Sequence, residues 1–80
     1  MSKSIYIYGF HSIEAQLNSN PEYILKLFIN SGRKDGRMSK MISLLSNLKI
    51  NFLKIEKNEL DRLAKGEPHE GSIAEIRFRS

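Results

Sequence analysis

The sequence predicts a small α/β domain in which four strands alternate with three helices. Three observations support this prediction: short β-branched and aromatic runs recur along the chain, segments with apolar residues at helical spacing separate them, and glycine, proline or asparagine marks most junctions. Strands that alternate with helices imply a largely parallel sheet with helices packed on both faces. We therefore expect a three-layer α/β/α sandwich around a mixed, mostly parallel four-stranded sheet, in the order βαβαβαβ.

The first strand and the first helix meet at Gly9. Residues 5–8 (IYIY) form a run typical of a strand, and Tyr6 and Tyr8 share one face of it. Apolar residues at helical spacing follow, namely Phe10, Ile13 and Leu17. The helix is expected to end at residues 18–21 (NSNP), because asparagine and serine favour turns and the proline ring prevents helix continuation.

The second strand is predicted over residues 23–29. These residues are apolar on both alternating faces apart from Lys26, which indicates a strand covered by helices on both sides. A polar loop over residues 30–36 leads into the most strongly patterned helix of the chain. Its apolar face is formed by Met38, Met41, Ile42, Leu45 and Leu48.

The last third of the chain predicts a strand, a short helix and a final strand. Residues 50–55 form the third strand, and Asn58 is the predicted N-cap of the third helix, with Asp61 three residues later. The inward face of this helix holds Leu60, Leu63 and Ala64, and Gly66 stands where a helix commonly ends. Residues 72–78 form the last strand, with Ala74, Ile76 and Phe78 on one face.

Composition limits the class of protein. Eighty residues with 40% hydrophobic content suffice for one domain, residues 1–80, with its core over residues 5–78. The absence of cysteine excludes disulfides, thiolate catalysis and cysteine-based zinc sites. The apolar runs are shorter than the ~20 residues of a membrane helix, and the first residues lack a secretory leader, so a cytoplasmic protein is expected. The net charge of +4 is compatible with binding to nucleic acid.

The densest positive charge lies in residues 31–37 (SGRKDGR) and the first turn of the helix that follows. Two glycines make this loop pliable, and the helix start behind it offers free backbone N–H groups and a positive dipole end. The spacing matches neither a P-loop nor a dinucleotide-binding glycine motif. The predicted contacts to nucleic-acid phosphates are Arg33, Lys34, Arg37 and Lys40. The alternative is a solvated loop that only keeps the protein soluble.

Two strand-to-loop junctions each carry a glycine and a histidine, at residues 8–11 (YGFH) and 68–71 (PHEG). Loops at strand ends are where α/β proteins bind ligands. No nucleophile stands at a spacing that would pair it with His11 or His69, and no close pair of metal ligands exists, so neither catalysis nor metal binding is predicted. The open alternatives are histidines that tie down their own loops by hydrogen bonds, or a polar contact surface shared by His11, His69 and Gly71.

Aromatic side chains offer a further way to bind RNA, by stacking on unpaired bases. The candidates are Tyr6, Tyr8, Phe10 and Phe78. Helical phase places Phe10 in the core instead, and packing beneath a helix is the expected position of the tyrosine face.

These motifs together resemble the substrate-binding domain of SpoU-type (TrmH family) RNA 2′-O-ribose methyltransferases. Residues 8–15 (YGFHSIEA) are similar to its Tyr-Gly-x-His-x-Val-x-Ala opening, residues 30–35 (NSGRKD) to its next segment, and residues 68–74 (PHEGSIA) to its closing His-Gln-Gly-Ile/Val-Ala signature. The resemblance covers residues 5–78 in the same order and spacing. Glu70 departs from the glutamine of the family, and a carboxylate there would repel a phosphate.

The resemblance implies a fold similar to that of ribosomal and kink-turn RNA-binding proteins. It also implies that a linker and a knotted catalytic domain follow, which bind S-adenosylmethionine, form the dimer and methylate a ribose 2′-hydroxyl. The type it resembles modifies guanosine of 23S rRNA, so ribosomal RNA is expected ahead of transfer RNA. None of the catalytic motifs stands among these 80 residues, so this chain is expected to bind no cofactor and to catalyse no reaction by itself.

Under this interpretation the chain is an RNA-recognition module. Arg33, Lys34, Arg37 and Lys40 would contact phosphates, and His11, His69 and Gly71 would face the RNA. The alternatives are a free-standing ribosomal or kink-turn RNA-binding protein, a protein-interaction unit and, least supported, a stand-alone enzyme.

Overall fold

A computed structural model describes residues 3–78 and contains, within them, four strands and three α-helices in the predicted order. The strands are β1 (Lys3–Tyr8), β2 (Ile24–Asn30), β3 (Leu53–Ile55) and β4 (Ser72–Phe78). The helices are α1 (Phe10–Ser19), α2 (Gly36–Asn47) and α3 (Lys57–Ala64), and a turn of 3₁₀ helix, Pro21–Tyr23, leads from α1 into β2. None of the helices between residues 3 and 78 has the length and apolar character required to cross a membrane.

The sheet is mixed, with the strand order β1-β4-β2-β3. The expected predominance of parallel pairing is wrong: β4 is antiparallel to both β1 and β2, and only β2 and β3 pair in parallel. The strands β1, β2 and β3 do run in one direction, as helical crossovers require. The reversal arises because the eight-residue α3 and the loop after it bring the chain back to the edge where β2 ends, at which Ser72 pairs with Ile29.

Helices cover both faces of the sheet, which confirms the three-layer sandwich. Between the sheet and α1 and α2 lies the larger core cluster: Phe10, Ile13, Leu17, Leu27, Ile29, Met38, Met41, Leu45 and Ala74. Beneath α3 lies a smaller one, made of Leu60, Ala64 and Ile73, against which Tyr8 and Phe28 pack. As predicted, Phe10 belongs to the core and is fully buried.

The third helix is too short to cover its whole face of the sheet. Tyr6 and Tyr8 share this face, but only Tyr8 packs beside α3, whereas Tyr6 remains 40% exposed. Leu25, at an irregularity in the pairing of β2 with β4, is 49% exposed, so the expectation that helices cover β2 on both sides fails at its beginning. The predicted position of Phe78 on the face of Ala74 concerns a side chain outside the described part of the chain.

Two predicted boundaries differ from the structure for local reasons. The third strand is only three residues long, because the Ile50 N–H donates to the carbonyl of Leu45 (2.9 Å) and so continues the end of α2 instead of pairing with β2. Leu48, predicted on the buried face, lies beyond the last turn of α2 and is 40% exposed.

The N-cap of α3 is Glu56 and not Asn58, because the Glu56 carbonyl already accepts the first backbone hydrogen bonds of the helix. At the other end, Lys65 and Gly66 adopt positive φ values of 52° and 90°, as predicted for a helix that ends at a glycine.

Candidate nucleic-acid interface

The antiparallel entry of β4 brings both glycine–histidine junctions to one edge of the sheet. The Gly9 N–H, at the end of β1, donates to the carbonyl of Ser72 (3.1 Å), and the Asn30 N–H, at the end of β2, donates to the carbonyl of Gly71 (2.9 Å). The Ser31 N–H donates to Ile55 at the end of β3 (2.9 Å). We call the place where these four strand ends meet the junction edge.

The turn that starts β4 interlocks with the end of β1. Glu70 and Gly71 have φ values of 51° and 88°, and the Ser72 N–H closes the turn by donating to the carbonyl of His69 (2.9 Å). A left-handed glutamate is unusual and stores strain. Its carboxylate lies against Gly9: a Cβ atom added at Gly9, where φ is 87°, would stand 2.7 Å from Oε1 of Glu70. The backbone conformation of Gly9 therefore favours glycine, and a side chain there would also displace the Glu70 carboxylate.

His69 ties its own loop to α3. Its Nδ1 atom accepts the Gly71 N–H (2.9 Å), so Nε2 carries the proton and donates it to Oδ1 of Asp61 (2.7 Å). The side chain is only 11% exposed. Both ring nitrogens are thus engaged inside the protein. Of the alternatives considered for this histidine, the one that the geometry favours is the structural tie.

His11 and Gly71 occupy the same edge in different ways. His11 is exposed in the first turn of α1, two residues after Gly9, which bonds to Ser72. Gly71 is buried, and a Cβ atom there would stand 3.3 Å from Cδ of Arg33. His11 is accessible to a ligand at the junction edge, whereas Gly71 and His69 shape that edge from within.

Arg33 joins the basic loop to the rest of the edge. Its guanidinium donates to the carbonyl of Glu70 and, from Nε and Nη2, to Oδ2 of Asp35 at 3.0 and 2.8 Å. The same group lies over the buried ring of Phe10, with 4.7 Å between Cζ and the ring centroid. Arg33 thus makes contacts with α1, with the start of α2 and with the turn before β4.

Asp35 is the N-cap of α2. Its Oδ1 atom accepts the Met38 N–H (3.1 Å) while Oδ2 accepts from Arg33. Hydrogen bonds from the Arg33 side chain, and then the one from the Met38 N–H, hold the pKa of Asp35 below its usual value of 3.8. The only acid of the basic loop is therefore an ionised cap that also neutralises Arg33.

The remaining cations predicted to bind phosphate point into solvent. Lys34, Arg37 and Lys40 are exposed, and Cζ of Arg37 lies 5.0 Å from the centroid of the Phe10 ring. Over residues 31–55 the sequence carries six lysines and arginines and one acidic residue. Residues 56–71, around α3, carry three lysines and arginines and five acidic residues. The two sides of the sandwich therefore differ in the sign of their charge.

Open clefts lie among the described residues. One of about 480 Å³ is bounded by α3 and the loop before β4, with Lys57, Asp61 and His69 in its wall. A groove of about 950 Å³ runs between α1 and α2, and a cavity of about 120 Å³ lies between α2 and β3. Between residues 3 and 78, no three His, Asp or Glu side chains are grouped closely enough to hold a metal ion.

Sequence reasoning missed three residues of this region. Asp35 could have been found, since an aspartate directly before a helical pattern is a common N-cap signal. Asp61 was interpreted as part of a capping motif, and its bond to His69, eight residues away, exists only because the loop folds back over α3. Lys54 lines the cavity between α2 and β3, together with Lys34, only because β3 pairs with β2.

Comparisons with known proteins show which family the sequence matches. Residues 6–80 match the model of the family described as RNA 2′-O ribose methyltransferase substrate binding. The 23S rRNA (guanosine-2′-O-)-methyltransferases RlmB of Haemophilus ducreyi and Acinetobacter baylyi are 37% and 38% identical to the chain over 70 and 77 residues. These alignments cover 88% and 96% of the chain but only 28% and 31% of the relatives, so the chain spans less than a third of their length. The RlmB of Haemophilus influenzae is 34% identical over 70 residues.

Proposed function

The chain belongs to the family of RNA 2′-O-ribose methyltransferase substrate-binding domains, and on this premise we propose that it recognises 23S ribosomal RNA for a methyltransferase. Its task is to hold a structured RNA so that a catalytic domain can methylate a ribose 2′-hydroxyl. The same relatives favour this function over a free-standing ribosomal or kink-turn protein.

The observation that carries the proposal is the segregation of charge beside the junction edge. Lys34, Arg37 and Lys40 are exposed on the cation-rich side, and the one acid among residues 31–55 is occupied by Arg33 and the start of α2. Phosphates bound there would release counterions and fix the register of the RNA.

Arg33 has a different task in this scheme. Three of its donor atoms are engaged within the protein, so we assign it the positioning of the loop that presents the phosphate-binding cations. His11, exposed at the junction edge, is placed to contact the RNA directly, while His69 and Gly71 maintain the shape of the surface it shares.

Methyl transfer is assigned to a catalytic domain outside these 80 residues, which would bind S-adenosylmethionine and form the dimer. The two larger clefts described above are open, which does not suit enclosure of an adenosine moiety. From the proposed ribosomal RNA substrate we infer a cytoplasmic location.

Binding of the 80-residue chain to fragments of 23S rRNA tests the proposal. The dissociation constant is measured over a series of KCl concentrations for the wild type, for Lys34→Ala/Arg37→Ala/Lys40→Ala and for the control Lys57→Ala/Arg62→Ala/Lys65→Ala, whose residues lie on α3 and directly after it. Each lost phosphate contact should reduce the salt slope by about 0.7–0.9. We expect a loss of about two units in the first variant and little change in the control. A wild type that binds 23S rRNA no better than it binds transfer RNA would contradict the proposal.

A further inference from the structure

The exposed side of α2 has a composition that no other element of the described chain shares. Between residues 36 and 55 the sequence contains no acid. The exposed polar residues of this helix are Arg37, Ser39, Lys40, Ser43, Ser46 and Asn47, and we call them the α2 strip. Every one of them can donate a hydrogen bond to a phosphate oxygen.

Cations line the clefts on both sides of α2. Toward α1, Arg37 and Lys40 of the strip line the groove of about 950 Å³, together with Ser43 and Asn47, and the α1 side of this groove is lined by Glu14. Toward the edge strand β3, the cavity of about 120 Å³ is lined by Lys34, Ser39 and Lys54. A strand that crosses the N-terminal half of α2 would therefore meet Arg37 and Lys40 on the helix and then Lys34 and Lys54 beyond it.

Lys54 reaches this position through the parallel pairing of β3. It is paired with Ile29, whose side chain belongs to the core beneath α1 and α2, so Lys54 lies on the same face of the sheet as α2. Its neighbour Leu53 projects to the opposite face and is 56% exposed. A one-residue shift in register would have placed the lysine on the side of α3.

We propose that the phosphodiester backbone of one RNA strand crosses α2, from the groove beside α1 to the β3 edge, and that Lys54 is a phosphate contact at the end of this path. The inference rests on the proposed function, which it extends to a surface outside the basic loop. It also assigns the exposed face of α3, which carries Glu59, to the part of the domain that faces away from the RNA.

Charge complementarity favours a nucleic-acid strand over a protein partner on this surface. The strip presents six donors and no carboxylate, which suits a polyanion. A stable protein interface needs an apolar centre. The large apolar residues that are exposed in the described chain are Ile5, Tyr6, Leu25, Leu48 and Leu53, none of which belongs to α2.

The test compares Lys54→Ala and Lys54→Glu with the matched control Lys57→Ala, an exposed lysine two residues beyond β3 on α3. All are assayed for binding to a 23S rRNA fragment over a series of KCl concentrations, and thermal unfolding verifies that each variant is folded. We expect Lys54→Ala to lower the salt slope by about 0.7–0.9, Lys54→Glu to weaken binding further, and Lys57→Ala to match the wild type.

Two outcomes separate failure of this inference from failure of the proposed function. In the first, both Lys54 variants bind the RNA as tightly as the wild type, whereas Lys34→Ala/Arg37→Ala/Lys40→Ala binds it more weakly. This result overturns the path across α2 and leaves the proposed function intact. Absence of 23S rRNA binding by the wild type overturns both. A third outcome is that polyglutamate competes with the RNA, and that the Lys54 substitutions weaken the binding of polyglutamate but not that of the RNA. In that case the strip is a site for an acidic protein and the inference is wrong.

Discussion

The guanidinium of Arg33 lies over the ring of Phe10, with 4.7 Å between Cζ and the ring centroid, and so joins an exposed loop to the buried core. Phe10 has no exposed surface, whereas the loop around Arg33 is open to solvent. Because the same guanidinium also bonds to Asp35 and to the carbonyl of Glu70, one side chain determines where the basic loop stands relative to the junction edge.

Replacing Arg33 should separate positioning from phosphate contact. We expect Arg33→Ala to lower the free energy of unfolding by about 1–3 kcal/mol and to weaken RNA binding with an unchanged salt slope. Arg33→Lys should restore little of the stability and RNA affinity lost in Arg33→Ala, because a lysine cannot make the paired bond to Asp35 while it stacks on the ring of Phe10. A slope reduced by nearly one unit in a fully stable Arg33→Ala variant would instead make Arg33 a phosphate contact.

The contact between Gly9 and Glu70 predicts a coupled pair of substitutions. Gly9→Ala should destabilise the fold by about 1–3 kcal/mol, because alanine at a φ of 87° is strained and its Cβ would meet the Glu70 carboxylate. Removing that carboxylate by Glu70→Ala should make Gly9→Ala less costly, with a coupling of at least about 0.5 kcal/mol in urea unfolding. Additive effects of the two substitutions would contradict the interlock.

The charge of Glu70 should oppose RNA binding. Glu70→Gln keeps the shape of the side chain and removes a carboxylate from the junction edge, so we expect a several-fold gain in affinity at low salt. The gain should shrink as KCl is raised, because exposed charges are screened. The control is Glu59→Gln on α3, for which affinity should stay unchanged. Equal affinities of the wild type and Glu70→Gln at low salt would place the RNA away from this edge.

The tie made by His69 predicts which replacements preserve the turn. His69→Ala leaves the buried Gly71 N–H without an acceptor, which should cost about 1–3 kcal/mol. His69→Asn should be milder, because an asparagine oxygen can accept the N–H two residues later. Hydrogen exchange at the Gly71 amide provides the measurement: we expect fast exchange in the alanine variant and protection in the asparagine variant. Similar exchange in both would show that His69 is dispensable for the turn.

The lowered pKa of Asp35 predicts a specific acid sensitivity. Because folding lowers this pKa, ionised Asp35 stabilises the fold fully above its unfolded value of 3.8, and the contribution is lost as pH falls through the lower folded value. Asp35→Asn keeps a capping oxygen but cannot ionise. The midpoint of thermal unfolding should therefore differ between wild type and Asp35→Asn at about pH 5, and the difference should narrow as the pH falls below 3.8. Parallel curves would contradict a stabilising ion pair with Arg33.

Local patterns identified most of the elements, because each rests on residues close together in the chain. The spacing of Phe10, Ile13 and Leu17 was sufficient to predict α1 and its buried face. The short third strand could not be predicted, since Ile50 completes a helix end instead of a sheet ladder, and apolar character alone does not distinguish these two environments.

The sequence by itself determined the α/β class, the order of elements, the two glycine–histidine junctions and the concentration of cations in residues 31–55. Only the tertiary structure decided that β4 enters between β1 and β2 in the opposite direction, which brings the junctions together and allows Glu70 to lie against Gly9. It also decided that Arg33 and His69 are engaged internally and that Lys54 faces the side of α2. The physical reason is that periodicity and composition are local properties, whereas strand pairing, register and hydrogen bonds between distant loops depend on how the chain returns to the sheet.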